Sequence, residues 1–502
     1  MSLMRTKPIE QLLAEGAEHD TVVVNQGGEI IGEATLKRTL GPWALIALGI
    51  GAIIGAGLFA RTAAAIADRS GSAVVLAFIV AGIGCAFAGL CYAEFASMIP
   101  IAGSAYTYSY ATMGELIAWI IGWDLVLEYA VGAATVSIAW SEYFNTVLGF
   151  FGLSMPYEWF HSPWQHAADG TRGIMNVPAV FILLLLTLLL VRGTQESAFV
   201  NSIIVVTKVT IVLLVIAFGW GFINPANHTP LIPPATMYTT PEGVTHNFGG
   251  IMGILGAAGV VFFAYIGFDA VSTAAQEAKN PKRDMPIGIL GSLVICTILY
   301  VLFAWVLSGL APVDIFRGPA REASVAYAIT NYMPGYAWLS NMVTVAILAG
   351  FSSVILVMLL GQSRVFFSMS RDGLVPKVFS DVHARFKTPY KSNWLFFVFT
   401  ALFAAFIPGD VVGEMTSIGT LFAFILVCAG VWIMRRRRPD IPRGFTVPAL
   451  PVVAILGILV SGAMIYGLGW TNWVRLGVWL VIGLVFYFLY GKNHSKLNRQ
   501  GT

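Results

Sequence analysis

The chain has 502 residues, 57% of them hydrophobic and 11% charged, with a formal net charge of +3 at pH 7. So little polar surface cannot coat a soluble globule; the chain reads as an all-α polytopic membrane protein, and its small charge gives no ground for a nucleic-acid partner. The four cysteines (Cys85, Cys91, Cys296, Cys428) lie in apolar stretches without metal spacing, which predicts free thiols and no metal, and no Ser/His/Asp or phosphate-loop constellation points to an enzyme.

At about 20 residues per span of a roughly 30 Å hydrocarbon core, twelve spans are predicted: 42–65, 73–98, 115–148, 176–193, 198–222, 248–275, 286–311, 337–370, 389–408, 412–434, 447–467 and 474–491. Residues 1–40 form a polar tail without a cleavable signal, helix-like over Met1 to Asp20, broken at Gly27-Gly28 and expected to lie on the membrane surface; 492–502 form a second tail. An even number of spans puts both termini on one side. That side carries 22 of the 29 Lys and Arg, against six opposite (Arg61, Arg69, Arg172, Arg317, Arg321, Arg475), so both termini are expected in the cytoplasm. The run Arg435–Arg438 is read as a topology anchor.

The first span is interrupted by Gly51, Gly55 and Gly57. Backbone without its helical ladder is tolerated in a bilayer only where protein or a watery cavity covers it. Such a break offers N–H groups and positive dipole to an anion, and bare carbonyls to a cation. The same glycines also fit a small-residue face for close helix packing, and both readings stand at this point. Asp68 to Ser72 reads as a short outer turn. In the third span Asp124 and Glu128 are four apart and share a face. Glu128 is closer to mid-membrane and is read as functional; Asp124, nearer the cytoplasmic end, is read as wetted there.

The loop 149–175 holds Trp159, Trp164, His161 and His166, to which only interface anchoring is assigned. The fifth span buries Lys208, too deep to reach water easily. It is either a proton carrier or one half of a fixed ion pair, with Glu128 as its partner. The sixth span repeats the interruption at Gly267, followed by Asp269. Breaks at matching places in two five-span halves are the best sequence pointer to a midplane binding site.

These residues resemble the amino acid–polyamine–organocation superfamily. The resemblance is carried by Gly51-Ala52-Ile53-Ile54-Gly55-Ala56-Gly57-Leu58-Phe59, by Phe268-Asp269, by Glu277-Ala278-Lys279-Asn280-Pro281 and by Arg364-Val365-Phe366-Phe367-Ser368. Gly89-Leu90-Cys91-Tyr92-Ala93-Glu94-Phe95 and Ser417-Ile418-Gly419-Thr420-Leu421 resemble the cationic amino acid transporter family within it, over nearly all of residues 35–490. The resemblance implies a five-plus-five inverted repeat (41–222 and 248–435, together the core 41–435) with two further helices in 436–491. It implies that a substrate carboxylate meets the N–H groups of Ala56 and Gly57, and the α-ammonium the carbonyls of Ile53, Phe263 and Ile266, with Ala264 beside them and Phe263 as an aromatic gate. Lys208 matches a lysine that occupies a cation site near Gly51, flanked by Ser352 and Ser353, in sodium-independent relatives that couple to protons. Asp124 and Glu128 stand where animal members have neutral residues, and twelve spans instead of fourteen imply a bacterial homologue.

The expectation is a proton-coupled importer of cationic or small neutral L-amino acids in the plasma (inner) membrane. It needs no cofactor beyond the proton and no sodium, and lipid, a sterol or a small accessory membrane helix lies against it. An amino acid exchanger without net proton movement and a non-transporting sensor are the alternatives.

Overall fold

The computed structural model describes residues 5–8, 23–24, 30–32, 40–55, 57–98, 104–167, 169–193, 198–240, 243–269, 271, 278–318, 324–386 and 388–499. Within them the chain is mostly helical. In order come α1 (Pro42–Ile53), α2 (57–70), α3 (Val74–Met98), α4 (Ser104–Thr112), α5 (Glu115–Phe150), α6 (Val177–Arg192) and α7 (Ala198–Gly219). There follow α8 (Gly250–Val261), α9 (Pro281–Leu310), α10 (Ser324–Tyr332), α11 (Ala337–Arg371), α12 (Tyr390–Phe406), α13 (Gly409–Arg437), α14 (Leu450–Leu468) and α15 (Trp470–Phe486). There are two antiparallel pairs, β1 (Val23–Val24) with β2 (Ile30–Gly32) ahead of α1, and β3 (Thr236–Thr239) with β4 (Thr245–Phe248) between α7 and α8.

Helix ends follow local chemistry. Pro42 and Pro281 open α1 and α9 at positions whose N–H has no helical acceptor anyway. The Asn176 side chain accepts from Ala179 N at 3.1 Å to cap α6, which stops at Gly193 in left-handed conformation.

Among the described residues eight helical stretches are long and apolar enough to cross a membrane, by length and composition, and α1, α6 and α8 are apolar but shorter. This is a polytopic membrane protein. One stretch, 57–98, joins the end of the first predicted span to the whole of the second, because helix continues to Ser70 before the turn at Gly71. The expected outer turn Asp68–Ser72 is therefore buried: Arg69 is 2% exposed and reaches Glu414 at 2.5 Å. In the interior α9 lies along α3 and α1, α11 along α5 and α7, and α13 along α14. α15 turns Val474, Val478, Val481 and Val485 outward, an apolar face suited to lipid.

The first and last described segments, 5–8 and 496–499, meet at one end of the bundle. Arg5 donates to Leu497 O at 3.4 Å, and Lys7 bonds Asp372 at 2.8 Å and, through its N–H, Tyr110 O at 3.0 Å. Instead of lying on the membrane surface, this part of the tail is packed into the bundle, with Lys7 buried. Residues 5–8 are not helical, contrary to the helix expected over Met1–Asp20, and the rest of that stretch falls outside the described residues. At the same end Glu94 collects Arg435, Arg443 and the Val447 N–H, so the arginine run has a structural partner as well. At the far end Arg61 bridges to Asp410 at 2.9 Å.

Candidate functional site

α1 stops because Ile54 leaves helical geometry, at φ −71° and ψ 102°. Ala56 lies outside the described residues. Helix resumes at Gly57 in a wide π turn. The second break follows the same logic: α8 tightens into a 3-10 turn over Phe262–Tyr265, Ile266 is extended, and Gly267 sits at φ +112°, which a side chain would strain.

The two breaks are in contact. A Cβ on Gly267 would stand 2.7 Å from Ala52 O, and one on Gly57 would stand 2.5 Å from Ala264 N. Gly51 and Gly55 pack on Val205 and Val354, so the packing reading of the glycines and the broken-helix reading are both correct. The Tyr300 hydroxyl on α9 lies 2.9 Å from both Ile53 O and Ala264 O. One phenolic hydrogen thus serves a bare carbonyl from each break. Aromatic rings close around the second one: Phe262 and Phe268 both pack on Phe424, and Phe268 also on Tyr92.

Of the carbonyls expected to receive an ammonium, Ile53 O accepts from Tyr300 and Phe263 O from Ile266 N at 3.3 Å. Phe263, Ala264 and Ile266 are all buried at the break.

Lys208 is 4% exposed and donates from Nζ to Gly51 O at 3.2 Å. That carbonyl belongs to the last turn of α1, where helical acceptors lose their N–H partners and the dipole is negative, so an ammonium is well placed there. Gly350 of α11 makes the room, since a Cβ on it would stand 2.9 Å from Lys208 Cε. Ser352, two residues on, accepts from the Trp140 indole at 3.1 Å and donates to Leu348 O, while Ser353 is buried nearby. Beside Lys208 a small apolar cavity is walled by Ile54, Phe59, Ile211, Ile347 and Phe351.

Glu128 sits in a wide π turn of α5 and is 1% exposed. Its carboxylate faces Thr420 and Asp269 without completing a hydrogen bond to either. Asp269, two residues past Gly267, accepts from Tyr129 Oη at 3.0 Å, tying the second break to α5. Asp124 is also 1% exposed, against Gly419, so it is buried where wetting was expected, and neither of its oxygens has a hydrogen-bond partner. Among the described residues no ion pair joins Lys208 to Glu128. Tyr300, Gly350 and Tyr129 were not singled out from the sequence; in an apolar run nothing separates such residues from ordinary packing positions.

Abutting helix breaks inside a polytopic bundle, with an ammonium on one exposed carbonyl, are the architecture of a membrane transporter. Residues 40–490 match the amino acid permease family. The chain is 43% identical to the branched-chain amino acid permease BcaP of Bacillus subtilis, over 99% of both chains. It is 38% identical to the methylthioribose transporter of the same organism, over 99% of this chain and 100% of that one. To the vacuolar cationic amino acid transporter 4 of Arabidopsis thaliana it is 29% identical, over 93% and 94%. The chain belongs to the amino acid permease family, in the amino acid–polyamine–organocation superfamily, and is a transporter and not an enzyme.

Proposed function

We propose that the chain carries L-amino acids into the cell in step with protons, by alternating access around the paired breaks. The reading takes twelve spans, ten of them as a five-plus-five inverted repeat (41–222 and 248–435), with both termini in the cytoplasm and the protein in the plasma membrane. One observation carries it: two interrupted helices expose backbone to each other at one place, and the Lys208 ammonium sits on the Gly51 carbonyl beside them. Ala56 and Gly57 would take the substrate carboxylate, and the carbonyls of Ile53, Phe263 and Ile266 its ammonium.

Charged Lys208 holds α1 in one orientation; loss of its proton frees the carbonyl. With an ammonium in this place, sodium is not needed. Glu128 is the second proton-linked group, since neither of its buried oxygens has a hydrogen-bond partner and a proton on it would give it a donor of its own.

The side chain preferred is neutral and apolar, in keeping with the walls of Phe59, Ile211, Ile347 and Phe351 and with the name of the relative BcaP. A cationic side chain is the second reading, favoured because Asp124 and Glu128 are not consumed by Lys208. Uptake of L-isoleucine, L-arginine and methylthioribose into proteoliposomes, with acid outside, tests these readings together. Accumulation of L-isoleucine that follows the pH gradient and disappears in Lys208→Ala is the expected result. Uptake that ignores the gradient and needs amino acid inside would establish exchange, and binding without movement a sensor.

A further inference from the structure

One strip of α3 faces outward: Ile79 and Ile83 are exposed and Phe87 and Leu90 half-buried, whereas Ala81, Cys85, Ala88 and Tyr92 are covered. Glycines bring the covering helices close. A Cβ on Gly82 would stand 2.8 Å from Thr297 Cγ2 and one on Gly89 2.6 Å from Leu293 Cδ1, both on α9, while one on Gly84 would stand 2.8 Å from Met464 Cε on α14. α9 turns its own stripe outward, Arg283, Ile287, Leu290 and Val294, four or three residues apart, and α14 turns Val452, Leu456 and Val460. Leu290 lies beside Gly89 and Val460 beside Gly84. The two stripes therefore wall a furrow whose floor is Ile83, Phe87 and Leu90.

The furrow closes at the end where the first and last described segments meet. There residues 439–447 cross α3: Phe445 N donates to Ser97 Oγ at 3.1 Å, Val447 N donates to Glu94 at 2.8 Å, and Gly444 lies against Lys282. Positive charge is in excess at this crossing. Of its carboxylates, Glu94 takes Arg435 and Arg443, Asp440 takes Arg438, and Asp284 accepts from Asn280 N at 3.0 Å. Lys279, Lys282, Arg283, Arg436 and Arg437 stay exposed, and among the described residues no carboxylate pairs with them. The Arg436 guanidinium sits 5.0 Å over the ring of Trp432, an indole of the kind that marks the headgroup level of a bilayer. Arg283 heads the outward stripe of α9, so an unmatched cation stands where apolar wall gives way to that level.

We propose that this furrow holds an anionic glycerophospholipid, with its phosphate on Lys282 and Arg283 and an acyl chain along Ile83, Phe87 and Leu90. A neutral lipid or a sterol would cover the floor and leave the cations unmatched; a free phosphate would match the cations and leave the floor bare. A lipid with a negative headgroup does both, and basic pockets between helices at a membrane face are suited to such headgroups. Held there, the lipid bridges α9 and α14 across α3.

The test titrates phosphatidylglycerol, phosphatidylcholine, cholesterol and glycerol phosphate into the detergent-purified full chain, reading bound lipid by native mass spectrometry and stability by the melting temperature. Phosphatidylglycerol should bind most tightly and raise the melting temperature. Its affinity should fall about fivefold in Lys282→Gln and about fivefold in Arg283→Gln, the effect of one charge near a headgroup. Both side chains are exposed, so the variants keep the fold. Ile83→Trp, which fills the floor and leaves every charge in place, should weaken binding too, and Lys391→Gln, at an exposed charge on α12, should leave it within about twofold. Phosphatidylcholine or cholesterol binding as well as phosphatidylglycerol would overturn the site, and glycerol phosphate competing on equal terms would make it a site for a free anion. Equal weakening by Lys391→Gln would reduce it to diffuse attraction. Unchanged affinity in Lys282→Gln and Arg283→Gln, or in Ile83→Trp, would also overturn it.

Discussion

Gly57 and Ala264 meet backbone to backbone: any side chain on Gly57 would overlap the Ala264 main chain, which has no flexible end to move aside. Gly57→Ala must therefore push the two helix breaks apart. Overpacking of this kind costs about 1–3 kcal/mol, and transport is expected to fall to background. A melting curve in detergent and uptake into proteoliposomes check this; a variant normal in both would mean that the breaks do not touch.

Tyr300 is the only polar side chain shown bonding both breaks among the described residues. Tyr300→Phe keeps the ring and removes the hydroxyl, leaving two buried carbonyls short of a donor, at a cost of about 1–3 kcal/mol. The expected outcome is lower thermal stability together with a reduced transport rate. Unchanged stability would place other donors at Ile53 and Ala264.

Gly350→Ala moves Lys208 without changing its chemistry, because the new methyl would stand 2.9 Å from Lys208 Cε. Displaced from Gly51, the ammonium couples less well to α1. Accumulation driven by a pH gradient should drop several-fold while amino acid exchange at equal pH persists. If both fall in parallel, the position of Lys208 is a matter of folding alone.

His246 lies on the β4 strand, and burial, then the Arg69 guanidinium, hold its imidazole down to about 4 from the ordinary 6.5. The unfolded chain thus binds a proton that the folded chain refuses between pH 6.5 and 4. Stability contributed by neutral His246 is present above pH 6.5 and is lost as pH falls through that window, at up to about 1.4 kcal/mol per unit. Thermal unfolding of the wild type at pH 7 and pH 5 should show the loss, and His246→Gln should flatten it.

Glu414→Gln leaves the buried Arg69 facing a neutral amide. Removing one partner of a buried pair costs about 3–5 kcal/mol, so the variant should melt well below the wild type. Asn472→Ala, which removes one of three donors to Glu414, should cost less.

The long apolar runs were legible because hydrophobic length alone marks a membrane helix, and the breaks because interruptions at matching places in two halves go beyond what packing glycines alone explain. Lys208 stood out as a charge without water, and its Nζ lies 3.2 Å from Gly51 O. The partners of these residues were hidden. Tyr300 and Gly350 look like any core tyrosine or packing glycine until a neighbouring helix is placed, and Ser352, chosen for its hydroxyl, spends it on Trp140 and Leu348. Arg61 and Arg69 counted only as loop charges because nothing in their own segment announces Asp410 and Glu414, some 350 residues away along the chain.

α11 is 35 residues long, about 52 Å at 1.5 Å per residue, well beyond the thickness of a bilayer core. Gly350 makes room for Lys208 part-way along it, and Asp372, just past its end, holds Lys7 at 2.8 Å. The helix is in effect a lever with its fulcrum at the lysine. A tilt of about 10° pivoting at Gly350 would swing Asp372 by roughly 6 Å, enough to part it from Lys7, so a spectroscopic label near Lys7 would report on a movement that begins roughly 30 Å away at the lysine, about 22 residues back along the helix.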